Sequence, residues 1–157
     1  MNGLDRAALG IGHVYAPEGS GIDAAENFDS LLGGEAAPIV DCLPDDVAVL
    51  IFTAGTGGAP KAAMLTHNNL LSNIEQAQSL QGQEVLPSDV ALGVLPLFHI
   101  FGLNVVLGIA LHAGASVVLV ERFDPLSAAE TIRDRKVTVV AGAPTMFAAM
   151  MSLPRAT

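Results

Sequence analysis

Residues 53–61 read Thr-Ala-Gly-Thr-Gly-Gly-Ala-Pro-Lys. Glycines at 55, 57 and 58 let the backbone take positive φ and turn several N–H groups toward one point, while Thr53 and Thr56 add hydroxyl donors and Lys61 a positive charge. The chemistry such a set performs is the holding of phosphate. A tight hairpin turn needs only about two residues of this kind, so the loop carries more than a turn requires. Two familiar phosphate loops are excluded by spacing. The Walker loop has glycine before its lysine and Ser or Thr after it, where this chain has Pro60 and Ala62. The dinucleotide fingerprint needs a third glycine where Pro60 stands.

A second candidate is His99, within Leu95-Pro96-Leu97-Phe98-His99-Ile100-Phe101-Gly102, about 38 residues beyond Lys61. Taken alone, a histidine among apolar residues is more often a satisfied core residue than a functional one. No cluster of residues with metal-ligand spacing accompanies either candidate.

The elements that position these residues follow from period and punctuation. Val47 to Phe52 is a short β-branched and apolar run typical of a buried strand. Ala62 to Leu65 returns from the glycine loop, so the pair predicts an antiparallel hairpin around it. Thr66 caps a helix over 68–82, with Leu70, Ile74, Ala77 and Leu80 or Gln81 on one face. The cycle then repeats: strand 89–95, helix about 100–112 closed by Gly114, strand 116–120, helix 125–136, strand 137–141, helix 144–152. Asp124-Pro125 opens one helix, and Arg133, Arg135 and Lys136 suit its C-terminal dipole. Strands alternating with helices predict an α/β fold, a mostly parallel sheet with helices on both faces. Met146, Met150 and Met151 are read as helix packing.

Residues 1–46 differ in character. They hold nine Asp and Glu against the single Arg6, while the remaining 111 residues hold seven acids and six bases within a net charge of -9. They read as an acidic connector with one short strand near Gly12–Tyr15 and one short helix over Phe28–Leu32, followed by a 47–157 α/β subdomain. No Lys/Arg stripe with interleaved aromatics exists, which excludes a nucleic-acid binder. Cys42 is the only cysteine and the first residues lack a signal-peptide pattern, so a cytoplasmic setting is expected. Residues 90–120 contain no charged side chain. A membrane span is nevertheless not expected there, because Gly93, Pro96, Gly102, Gly108 and Gly114 interrupt the stretch and acids flank it. Charged residues make up 15% of the chain, below the usual ~25%, although a small globule needs more charge, not less. The composition is that of the interior of something larger, and self-association through exposed apolar surface is expected.

The loop resembles the signature of the adenylate-forming superfamily, which includes acyl-CoA synthetases, luciferases and peptide-synthetase adenylation domains. Its pattern, Thr-Ser-Gly-Thr-Thr/Ser-Gly-x-Pro-Lys-Gly followed by Thr-His-x-Asn, is matched by Thr53, Gly55, Thr56, Gly58, Pro60, Lys61, Thr66, His67 and Asn69. Ala54, Gly57 and Ala62 depart from it, which removes two hydroxyl donors. Leu95 to Gly102 resembles the family's Pro-Leu-Phe-His block, and Ala141 to Met146 its Gly-Val-Pro-Thr turn. The resemblance implies a fold like the family's large N-terminal domain and an ATP-dependent acyl-CoA ligase acting on a fatty or other carboxylic acid. ATP phosphates would be held by Thr53, Ala54, Gly55, Thr56, Gly57, Gly58 and Lys61, with Mg2+ and CoA as further participants, and His99 would gate the acyl site. His67 is read as structural. The family's Tyr-Gly-x-Thr-Glu motif, ribose aspartate, hinge and C-terminal lysine have no counterpart here, so an internal piece without turnover of its own is expected. The alternative is a noncatalytic nucleotide- or phosphate-binding module.

Overall fold

The computed structural model describes residues 5, 7, 8, 10–34, 36–53, 61–82 and 84–154. Two compact units are formed, Met1–Asp41 and Cys42–Thr157. In the first, β1 (Tyr15–Ala16) pairs in parallel with β2 (Glu26–Asn27). Val14 and Ala16 are its buried apolar residues. Asn27 caps the 3-10 turn Phe28–Leu31 by accepting the Asp29 N–H at 2.9 Å. A second short strand thus joins the single strand and helix read from the sequence.

The second unit opens with β3 (Val47–Thr53) and β4 (Lys61–Thr66), antiparallel, paired continuously from Val49↔Leu65 to Thr53↔Lys61 and shifted by a bulge before the pair Val47↔Thr66. The next helix, α1 (His67–Gln78), starts where Thr66 and Asn69 cap each other reciprocally. It ends four residues before the predicted 82. Gln78 turns its amide to the following segment, donating to the Val85 carbonyl at 3.0 Å and accepting the Val85 N–H at 2.9 Å. Leu80 consequently lies beyond the helix and is 54% exposed.

A three-stranded parallel sheet follows, with β5 (Val90–Gly93) between β6 (Ser116–Leu119) and β7 (Val139–Val140). One acid ties its leading edge. The Asp89 carboxylate accepts the Leu86 N–H at 2.7 Å and the Thr138 hydroxyl at 2.8 Å, while the Thr138 hydroxyl oxygen accepts the Val90 N–H at 3.0 Å. The start of β5 is therefore pinned to the segment entering β7.

Between β5 and β6 the predicted single helix is two elements, a π-helix over Phe101–Gly108 and α2 (Ile109–Ala113). Gly114, at φ 73°, closes α2 as expected. Hydrophobic period does not distinguish the i→i+5 register from the i→i+4 one; packing selects it. Here Gly102 lies so close to the preceding turn that an added Cβ would sit 2.3 Å from the Pro96 carbonyl oxygen. Beyond β6, α3 (Pro125–Asp134) begins at its Asp124 cap, which accepts the Ser127 N–H at 2.9 Å. After β7, α4 (Pro144–Met151) completes the described elements.

Leu92, Val94 and Ala128 form the centre of a core against which Phe123, Ile132, Val140, Met146 and Met150 pack. Met151, expected to pack with the other two methionines, is 87% exposed on the opposite side of α4. No helix among the described residues is long and apolar enough to cross a membrane.

Two outcomes follow from these contacts. Gly102→Ala forces a methyl group into a backbone carbonyl and lowers unfolding stability by about 2 kcal/mol, within the range for overpacking, measurable by denaturant titration. Asp89 is held below the ordinary aspartate range, first by the Leu86 N–H and then by the Thr138 hydroxyl. A carboxylate whose pKa is depressed by folding contributes stability that is full above its unfolded value, about 4, and is lost as pH falls through the folded value. Asp89→Asn therefore flattens the acid limb of a stability-versus-pH curve, and an unchanged limb would show that the tie contributes nothing.

Candidate functional site

The neck of the glycine loop is set by backbone pairing. Thr53 and Lys61 are the last register pair of the hairpin, and the Thr53 hydroxyl donates to the Lys61 carbonyl oxygen at 3.3 Å. The chain thus leaves and re-enters the hairpin at one point, with both neck residues exposed. Ala54, Gly55, Thr56, Gly57 and Gly58 lie outside the described residues.

The four N–H groups at the start of the helix after the loop are all satisfied internally. Thr66 N–H donates to the Asn69 side chain at 3.1 Å, His67 N–H to the Asp46 carbonyl at 3.1 Å, Asn68 N–H to the Pro44 carbonyl at 2.9 Å and Asn69 N–H to the Thr66 hydroxyl at 3.2 Å. A helix start with spare N–H groups would be an anion site; this one has none to spare. The Thr66-His67-x-Asn69 motif works here as a joint between hairpin and helix.

His99 sits where β5 hands over to the π-helix. Its own N–H closes a turn onto the Pro96 carbonyl at 3.1 Å, and its Nδ1 accepts the Phe101 N–H at 3.1 Å. A backbone N–H only donates, so Nδ1 is an acceptor and the neutral ring carries its proton on Nε2. Two clefts meet at this ring. One, ≈ 310 Å³, is bounded by Leu95, Pro96, Phe98, Phe101, Gly142 and Ala143, which brings the third sequence block beside the second. The other, ≈ 400 Å³, runs between α1 and the π-helix and includes Leu65, Leu70, Phe101 and Val105. Leu65 is four residues along β4 from Lys61, about 14 Å at strand rise.

A wider cleft, ≈ 690 Å³, runs past the carboxyl ends of β5 and β6, between Leu95–Phe98 and Glu121–Phe123. Ligands of open parallel sheets bind outside such strand ends. It does not include His99, whose chemistry belongs to the two smaller clefts.

Sequence reasoning missed Asn73 and Asn104. Asn104 is 5% exposed and donates through Nδ2 to the Leu70 carbonyl at 3.2 Å and to Asn73 Oδ1 at 2.9 Å. Its backbone carbonyl accepts the Ile109 N–H, a π-helical bond. A lone asparagine in the uncharged 90–120 stretch was the available signal, because a buried amide must find partners.

An α/β unit of this kind, with a parallel sheet and a hairpin bearing a glycine-rich loop, is the N-terminal-domain fold of adenylate-forming enzymes. The chain belongs to the AMP-binding enzyme family, whose model matches residues 7–157. It is 40% identical over 157 aligned residues to 4-coumarate-CoA ligase 1 of Narcissus pseudonarcissus, covering 96% of this chain and 27% of that protein. It is 38% identical over 109 residues to a long-chain-fatty-acid–CoA ligase of Bacillus subtilis, covering 69% of this chain and 20% of that protein. Among solved structures, ATP-bound MatB from Rhodopseudomonas palustris superposes with a TM-score of 0.69 at 32% identity, over 80% of this chain and 24% of that one. The o-succinylbenzoate coenzyme A synthetase of Bacillus subtilis in complex with AMP gives 0.69 at 30% identity, over 83% and 35%. The chain therefore spans 20 to 27% of the length of these two curated relatives.

Thr66→Ala removes one half of the reciprocal cap and lowers stability by about 1 kcal/mol, read by thermal unfolding. The Asn69 amide proton, left without its acceptor, gains hydrogen-exchange rate in the same variant.

Proposed function

We propose that these 157 residues form the ATP phosphate loop and part of the acyl site of an ATP-dependent acyl-CoA ligase. In that reaction the carboxylate of a fatty, aryl or other acid attacks the α-phosphate of ATP, giving an acyl-adenylate and pyrophosphate, and the CoA thiol then displaces AMP. A carboxylate is a poor electrophile until it is adenylated, which is the chemical reason for the ATP. The observation that carries the reading is the closed hairpin neck. Thr53 and Lys61 present a loop of glycines, threonine and one ammonium group from a fixed base. Family membership and the ATP- and AMP-bound structural neighbours support it.

In this reading the loop holds phosphate by backbone N–H groups and Lys61, and His99 stands at the acyl side. Mg2+ is assigned no residue; among the described residues there is no group of three or more His, Cys, Asp or Glu that could hold a metal. CoA is assigned no residue.

Phosphate transfer depends on simultaneous positioning and charge stabilisation. The residues matched make up 20 to 27% of the ligases named above, so the chain alone is proposed to bind ATP weakly and not to turn over. The expected result is an ATP Kd of about 1 mM or weaker, lost in Lys61→Ala, with no ATP–pyrophosphate exchange for any carboxylic acid tried. Absence of any Lys61-dependent ATP binding would sink the phosphate-loop assignment. Exchange that vanishes in Lys61→Ala would show instead that the chain is catalytic by itself.

Self-association is proposed on the same footing. On the hairpin, Leu50, Phe52 and Met64 are 54%, 69% and 70% exposed, and contiguous apolar patches of this kind are rarely left open on monomers. Light scattering is expected to give a mass above 16.1 kDa; a monodisperse monomer would contradict this.

A further inference from the structure

The helical segment after His99 changes pitch part-way along. The Leu103 N–H bonds to the His99 carbonyl at 3.0 Å, four residues back, whereas the Ile109 N–H bonds to the Asn104 carbonyl, five residues back. One surplus residue is therefore held between Leu103 and Ile109. π-Helices are rare beyond a single turn, so a π-helix over Phe101–Gly108 needs an anchor outside itself. Asn104 is the only residue of that segment with a polar side chain. Its backbone carbonyl accepts the Ile109 bond, and its Nδ2 donates to the Leu70 carbonyl and to Asn73 Oδ1, both on α1. Gly108 leaves room for this approach, since a Cβ there would stand 3.1 Å from Asn104 Oδ1 and 3.2 Å from Ile74 Cδ1. The surplus residue is thus fixed to α1 at the point where the pitch changes.

We infer that Asn104 is a positioning residue for His99: its tie to α1 holds the π register, and that register keeps Phe101 and the His99 ring where the two clefts meet. Closing the surplus residue into an α register turns everything ahead of it by one residue, about 100° and 1.5 Å. The far end does not absorb that turn, because Ile109 and Ala110 of α2 are buried. The turn falls on the Phe101 end. Phe101 borders both clefts, and its N–H is the donor that His99 Nδ1 accepts. The same step therefore moves the wall shared by the clefts and releases the imidazole from its single tautomer. Asn104 does not touch the ring; it acts through the backbone of the segment. The inference adds a residue to the His99 role proposed above and rests on that reading for its bearing on the reaction.

The test follows the isotope-labelled 157-residue chain by NMR, recorded at about pH 8.5, where an imidazole is neutral. In the unaltered chain the through-hydrogen-bond coupling of the Ile109 nitrogen is expected to the Asn104 carbonyl carbon, and the His99 ring is expected as the Nε2–H tautomer. Asn104→Leu keeps the size of the side chain and removes both donations to α1. In that variant the coupling is expected to pass to the Val105 carbonyl, and the Nδ1–H tautomer of His99 to rise about fivefold, as the loss of one hydrogen bond to Nδ1 implies. A residue that served stability alone would lower the unfolding midpoint and leave both signals in place. That result in a folded variant overturns the inference, and so does a register that shifts without the tautomer. Should Asn104→Leu not fold, Asn73→Ala, at an exposed position, removes one of the two acceptors. The Ile109 amide is then expected to exchange about fivefold faster, the equivalent of one hydrogen bond, and an unchanged rate overturns the inference equally. ATP binding by the unaltered chain separates this result from the phosphate-loop reading. Lys61-dependent binding beside unresponsive His99 signals rejects the Asn104 role and leaves the loop standing, whereas responsive signals without such binding support Asn104 and reject the loop.

Discussion

The central position of β5 is the constraint on which the second unit depends. Both of its edges are hydrogen-bonded to parallel neighbours, and Ala91, Leu92, Gly93 and Val94 are buried. Parallel neighbours cannot be joined by a tight turn and need a long crossover. The chain between β5 and β6 must therefore leave the sheet, run back and re-enter, and so must the chain between β6 and β7. The segments leaving the carboxyl ends of β5 and β6 include Leu95–Phe98 and Glu121–Phe123, and the same geometry gathers them around one cleft. His99 is where it is because β5 ends at Gly93.

Low charge in this unit is compensated by close accounting of polar atoms. The buried amide of Asn104, between α1 and the π-helix, is bonded to the Leu70 carbonyl and the Asn73 side chain, and no buried side-chain N or O lacks a partner among the described residues. An unpaired buried polar group costs roughly 1–3 kcal/mol, so one unmatched amide here would offset a good part of a marginal stability. Asn104 joins the two helical elements in this way, and Asp89 joins two strands by the same means at the edge of the sheet.

The hairpin is built differently. Its two strands pair with each other and with no third strand among the described residues, and both carry exposed apolar side chains. An isolated two-stranded hairpin is marginal in water. Its anchorage comes from the joint at its far end, where Thr66, Asn69, Asp46 and Pro44 satisfy the first turn of α1.

Local chemistry by itself determined most of the elements. The strand at Val47–Phe52, the Thr66 and Asp124 caps, the Asp-Pro helix start and the glycine closing α2 are all decided by neighbours in sequence, and each is found where period and capping rules place it; the burial expected of that strand is not found, since Val47, Leu50 and Phe52 are exposed on a hairpin that no third strand among the described residues joins. The motifs likewise marked Thr53, Lys61 and His99 without reference to any long-range contact. Only the tertiary structure decided the end of α1 at Gln78, the π register of Phe101–Gly108, the exposure of Met151 and the partners of the buried Asn104. The physical reason is common to these four. Each is set by a partner distant in the chain or by which side of an element meets the core: Val85 for Gln78, the Pro96 turn and α1 for the π-helix, the Leu92 core for α4, and Leu70 for Asn104. A sequence pattern records which residues are apolar or can cap, but not which backbone carbonyl a side-chain amide will meet once the crossovers have closed.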